Sequence, residues 1–223
     1  MTTVTKMRLY KETISVLKNF ASINSNILIK PGNVLKTRSS GSNLYAESKI
    51  QEDFDVEVPI WDLNKFLGVI SMFVNPDLEF GDKYVDISNG KSSVRYFYSP
   101  PSLLTVPTKD IKFPKSIASF VLDEKDLNEM IKASSILQVS NLKIIGENGK
   151  LLINVDEAGN TSSNNFSLLI DENYSGPDYE GKLNISDLKL MPGSYTVTLT
   201  DTIIAKFNHE SNSLFYYIAV DRS

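Results

Sequence analysis

The sequence predicts an α+β fold built by duplication, each half made of two helices and antiparallel sheets. Three observations carry this. Two amphipathic helical stretches, residues 10–23 and 123–137, recur about half a chain apart. Each holds two lysines seven residues apart, and Lys125 and Lys132 follow Lys11 and Lys18 at one constant offset of 114 residues. Behind each stretch comes a run of short apolar segments separated by turn residues. Agreement of helix position, lysine spacing and hairpin order points to a repeated unit.

In the first helical stretch, Tyr10, Ile14, Leu17 and Ala21 follow helical spacing, and Val16 and Phe20 widen the apolar face. Arg8, Lys11, Ser15, Lys18 and Ser22 fall on another face, where only small residues separate the charges. A hairpin is expected next: Ile27-Leu28-Ile29 turns through Pro31-Gly32-Asn33 into Val34-Leu35. Strands over 43–50 and 53–59 follow. Trp61-Asp62-Leu63 then opens a short helix through Ile70, ahead of strands at 77–80, 84–88 and 92–99.

The second half repeats this order. Leu127, Met130, Ile131 and Ser134 are expected to face inward, and Lys125, Asn128, Lys132 and Ser135 outward. Asp123 and Asp126 supply an N-cap and first-turn charge. Residues 142–145 turn through Glu147-Asn148-Gly149 into 151–153, and Asn-Gly between apolar runs is a strong hairpin signal. Strands over 165–171 and 181–185 follow. Ser186-Asp187-Leu188 opens a helix that ends at Pro192-Gly193, ahead of strands at 195–201, 202–208 and 213–220. Pro100, Pro101, Pro107 and Pro114 make residues 100–115 an extended connector between one domain over 1–99 and another over 116–223.

Composition excludes several classes. The chain of 223 residues has no cysteine, so disulfides and thiolate metal sites are ruled out. No apolar run reaches the roughly 18 residues that span a bilayer, and the first ten residues lack the apolar core of a signal peptide. Net charge is −4, so a nucleic-acid role requires positive charge concentrated on one surface. His209 is the single histidine and reads as a turn residue, which leaves no histidine cluster for zinc and no spare base for a nucleophile. Asn89-Gly90-Lys91 and Asn148-Gly149-Lys150 lack the glycine spacing and following helix of a phosphate loop, and read as hairpin turns. Nothing supports an enzyme, and no cofactor is implied.

Lysines on a single helix face are ordinarily a solvated surface. Their recurrence at equivalent repeat positions favours a polyanion instead, because an ammonium attracts phosphate without reading bases. Lys11, Lys18, Lys125 and Lys132 are the leading phosphate-facing candidates, with Arg8, Lys65 and Lys189 behind them.

Residues 17–25 (LKNFASINS), 61–68 (WDLNKFLG) and 190–195 (LMPGSY) resemble the sliding clamps of T-even-type bacteriophages. The similarity spans essentially the whole chain. It departs from the family at the N-terminus, over 156–180 and in a shorter tail after Asp221. The resemblance implies duplicated DNA-clamp domains in a homotrimeric ring, with helices lining the hole and sheets outside. It implies a processivity factor that encircles duplex DNA and tethers the replicative DNA polymerase. An ATP-dependent clamp loader would open the ring, and late-transcription factors would use the same platform, all in the cytoplasm of the infected bacterial host. It also implies a groove near the connector for partner peptides. Leu103, Leu104, Val106 and Ile111 either line that groove or plug the junction between domains, with Ile218 and Val220 offered as an opposite wall. Two alternatives remain: a non-catalytic ring or tube-forming phage structural protein, and an open DNA-binding factor that replaces topology with affinity.

Overall fold

The computed structural model describes residues 5–160 and 162–221. The chain divides into two compact units, one ending at Asp110 and the other beginning at Ile111. The tail after Asp221 lies outside the described residues.

In the first unit, a strand Thr5–Met7 (β1) leads into helix Lys11–Ile23 (α1). Val16, Leu17, Phe20, Ala21 and Ile23 are buried, which fixes the rotational phase of the helix. Tyr10 stays extended as the N-cap and is 52% exposed, so it is not part of the apolar stripe. The helix start is held from a distance by the buried Glu52. Its carboxylate accepts hydrogen bonds from the Tyr10 N–H and from Thr13 Oγ1, each at 2.6 Å. An anion there meets both an orphan donor and the positive end of the helix dipole.

Four strands follow: Ile27–Ile29 (β2), Gly32–Arg38 (β3), Leu44–Phe54 (β4) and Val58–Ile60 (β5). The expected β2–β3 hairpin is not formed. Antiparallel β2 pairs β5, and β3 pairs β4, so the tight turn lies at residues 39–43. β4 runs unbroken where two strands were expected, because alternate residues from Ile50 to Phe54 stay buried. Helix Leu63–Ser71 (α2) is capped by Asp62, which accepts from the Lys65 N–H at 2.8 Å. Asp77–Phe80 (β6), Tyr84–Ser88 (β7) and Ser93–Phe97 (β8) complete an antiparallel sheet of order β1-β6-β7-β8.

The second unit repeats the order. Strand Ser116–Leu122 (β9) precedes helix Glu124–Leu137 (α3). Asn141–Glu147 (β10), Lys150–Asp156 (β11), Phe166–Asp171 (β12) and Tyr179–Asn184 (β13) form a sheet of order β12-β11-β10-β13. Tyr195–Thr200 (β14), Ile204–His209 (β15) and Leu214–Ala219 (β16) join β9 in the order β9-β14-β15-β16. That matches β1-β6-β7-β8 strand for strand, so the duplication is visible in the topology as well as in the lysine spacing. The leading strands β1 and β9 were not anticipated.

Three local expectations need correction. The helix opened by Ser186 is only a 3-10 turn over Ile185–Asp187, which leaves three α-helices among the described residues. Asp123 makes no side-chain cap; Ser194 Oγ accepts from the Glu124 N–H at 3.0 Å instead. His209 is 5% exposed rather than a turn residue. Its Nδ1 accepts from the Ser211 N–H, which makes Nε2 the donor to the Pro192 carbonyl at 3.1 Å.

Leu17 is completely buried beneath α1. Leu17→Ala should lower unfolding free energy in urea by about 3 kcal/mol. Lys18→Ala on the exposed face should change it by less than about 0.5 kcal/mol.

Candidate nucleic-acid interface and partner pocket

The sequence-derived cations all reach the surface. Lys11, Lys18, Lys65, Lys125, Lys132, Lys189 and Arg8 are exposed. On α1, burial of the opposite face turns Lys11, Ser15, Lys18 and Ser22 outward. The two serine hydroxyls fold back onto the helix, Ser15 to the Lys11 carbonyl and Ser22 to the Asn19 carbonyl. The face therefore carries ammonium groups over a low, self-satisfied polar surface. Arg8, Lys11 and Lys18 come together on the rim of a cavity of about 380 Å³, floored by Ile14, Leu67 and Ile70.

The seven cations differ in strength. Arg8 Nε donates to Asp77 Oδ1 at 2.6 Å, and Lys6 lies 3.4 Å from the same carboxylate, so part of the Arg8 charge is already compensated. Among the described residues, neither Lys11 nor Lys18 forms an ion pair. On α3 the exposed surface mixes Lys125 and Lys132 with Glu124 and Glu129, and Glu129 sits one turn after Lys125. The two helices share lysine spacing but not field strength, and α1 is the more basic. Ile131, expected inside, is 39% exposed on α3. Lys65 stands in the first turn of α2, and Lys189 follows the 3-10 turn, not a helix.

A second cavity, about 540 Å³, opens where residues 106–110 run beside β2 and β3. Leu28, Pro31 and Val34 give it apolar surface, and Lys30, Lys36 and Lys109 surround it. Lys36 Nζ bonds Asp110 Oδ1 at 2.5 Å and also faces Glu47. Of the groove candidates, Val106 lines this cavity. Leu103 is 59% exposed in the 3-10 turn Pro101–Leu103, and Leu104 and Ile111 are half-buried; none of the three lines it. Ile218 and Val220 are 0% and 2% exposed, so neither offers a groove wall. Ile218 sits on the inward phase of β16 with Leu214 and Tyr216. Leu28 and Val34 were missed; both are half-buried, which their apolar character beside Pro31-Gly32 does not by itself disclose.

Among the described residues, no group of histidine, aspartate and glutamate side chains could hold a metal ion, and no helix is long and apolar enough to cross a membrane.

The fold is that of clamp proteins of known structure. The chain matches the PCNA of A. fulgidus, solved with the C-terminal region of FEN-1, at a TM-score of 0.71. That match covers 100% of this chain and 99% of that one at 13% identity, a likeness of fold. Residues 10–94 match the family described as DNA polymerase processivity factor. The sliding clamp of Escherichia phage RB69 is 33% identical over 225 residues, 96% of this chain and 97% of that protein. The sliding clamp of Enterobacteria phage T4 is 34% identical over 206 residues, covering 86% and 87%. The chain belongs to the sliding-clamp family of T-even-type phages, the processivity factors of DNA polymerase.

Ionic contacts hold the Asp77 carboxyl below the usual carboxylate range, the hydrogen bond from Arg8 being the main cause. A depressed carboxyl pKa means the pairing is present above the ordinary aspartate range and is lost as pH falls through the lowered value. Carboxyl-carbon NMR should therefore find Asp77 titrating below an ordinary aspartate, and Arg8→Ala should move it back up.

Proposed function

We propose that three copies of this chain close into a ring around duplex DNA and tether the replicative polymerase by topological linkage. The observation that supports this most directly is the fixed phase of α1, which buries its apolar stripe and presents Lys11 and Lys18 outward. Lys125 and Lys132 repeat that presentation on α3. Exposed ammonium groups attract phosphate weakly and without base preference, which suits a sleeve that must slide. Arg8, Lys65 and Lys189 supplement the four lysines.

Ring closure needs complementary edges. β8 ends one sheet and β12 ends another, each open along one side in the single chain. Phe97 on β8 and Leu169 on β12 are 67% and 40% exposed. We assign β8 of one copy to β12 of the next, a head-to-tail contact that closes after three copies and leaves neither edge free. Residues 1–99 and 116–223 then act as the two clamp domains, joined by 100–115.

The cavity beside residues 106–110 is the proposed docking place for partner tails. The C-terminal region of FEN-1 bound to the A. fulgidus PCNA supports tail binding on this fold. Family resemblance extends the partners to an ATP-dependent loader and late-transcription factors, with the host cytoplasm as the setting. We assign the chain no catalytic step.

Light scattering should give a mass near three chains. Replacing Lys11, Lys18, Lys125 and Lys132 together by glutamate should leave that mass unchanged while shortening polymerase products on primed DNA. Because Glu124 and Glu129 dilute α3, reversing Lys11 and Lys18 alone should cost more processivity than reversing Lys125 and Lys132 alone. A monomer at high concentration, or full processivity in the fourfold variant, sinks the ring reading or the DNA-facing assignment respectively.

A further inference from the structure

We propose that Asn24 and Asn26 form a clasp that holds the connector wall of the 540 Å³ cavity, tying it to the end of the DNA-facing helix. Asn24 is the C-cap of α1. Its Nδ2 donates to the Thr105 carbonyl at 2.7 Å and to the Arg38 carbonyl at 2.9 Å. Its Oδ1 accepts from the Asn26 N–H at 3.1 Å, and Asn26 Oδ1 accepts from the Thr105 N–H at 2.9 Å.

Thr105 thus has both backbone groups bound by carboxamides, one as donor and one as acceptor. Two side chains do here what a neighbouring strand would do in a sheet. The arrangement matters because residues 104–110 form no helix or strand that could hold them. Thr105 directly precedes Val106, the first connector residue lining the cavity. Arg38 ends β3, whose Val34 and Lys36 line the facing wall. One asparagine therefore spaces both walls. The same loop also receives the start of α2, since the Leu63 N–H donates to the Ser25 carbonyl at 2.7 Å. Asn24 and Asn26 are positioning residues: they line neither cavity.

What occupies the cavity follows from the clamp reading above. Thr105 protection is measured on the free chain, so its failure would leave that reading standing. The experiment is amide hydrogen exchange by NMR on the full chain. In the wild type the Thr105 amide should be protected. Asn26→Ala should speed its exchange by about tenfold, the scale of one hydrogen bond lost. Asn26→Asp keeps the acceptor and should keep the protection. Asn24→Asp keeps Oδ1 but loses both donors, and should speed tryptic cleavage after Lys109 several-fold. Thr105 exchange in Asn26→Ala within about twofold of wild type would overturn the clasp. So would acceleration spread equally over α1 and β3, since that would mark a general loss of stability rather than a held connector.

Discussion

A helix laid on a sheet has little rotational freedom once large side chains enter the core. Burying Val16, Leu17, Phe20, Ala21 and Ile23 sets α1 to one angle, and every charged residue on it inherits its direction from that choice. Turning the helix far enough to hide Lys18 would bring Leu17 and Phe20, both completely buried, into water. Each such side chain is worth about 1.5–3 kcal/mol of burial, more than an exposed ammonium gains from any single contact. The basic face is therefore a consequence of packing. Glu52 adds axial placement, because its two short hydrogen bonds anchor the first turn.

The charge distribution suits the proposed sliding rather than a tight grip. The chain is net negative at −4, yet α1 presents lysines among small serines. A wholly basic surface would bind duplex tightly and resist movement, because each neutralised phosphate adds to the counterion term. Here the acidic residues lie close to the basic ones. Asp77 compensates Arg8, and Glu129 neighbours Lys125. Such tempering lowers affinity per contact, which the proposed ring would tolerate and an open DNA-binding factor would not.

Legibility in the sequence followed the range of the interactions. Helices and Asn-Gly hairpins are decided within a few residues, so α1, α3 and the β10–β11 turn could be read directly. The exposed lysines could too, because amphipathic phase is a local property. Strand partners could not: β2 is followed closely by β3 but pairs with β5, a choice made by packing across the unit. Ile218 and Val220 were misplaced for the same reason, since their apolar character fits a groove wall and a core equally well. The clasp was invisible because Asn24 and Thr105 lie 81 residues apart.

The two halves differ where the first has α2 and the second only a 3-10 turn, and the replacement is chemically explicit. In the first unit α2 satisfies its own backbone. In the second, Pro192 and Gly193 interrupt the corresponding stretch, leaving peptide groups that need other partners. Tyr195 supplies a hydroxyl to the Met191 carbonyl at 2.6 Å, Tyr216 accepts the Met191 N–H at 3.1 Å, and His209 meets the Pro192 carbonyl. Burial pushes both tyrosine hydroxyls well above their usual pKa, so they stay protonated and keep these roles. Gly193, at φ 142°, is required by the same cluster, because a Cβ there would come within 2.4 Å of His209 Nε2. An aromatic cluster centred on Tyr195 thus does the work of a helical turn. It also explains the buried histidine: His209 is placed by backbone hydrogen bonding to Pro192 and Ser211.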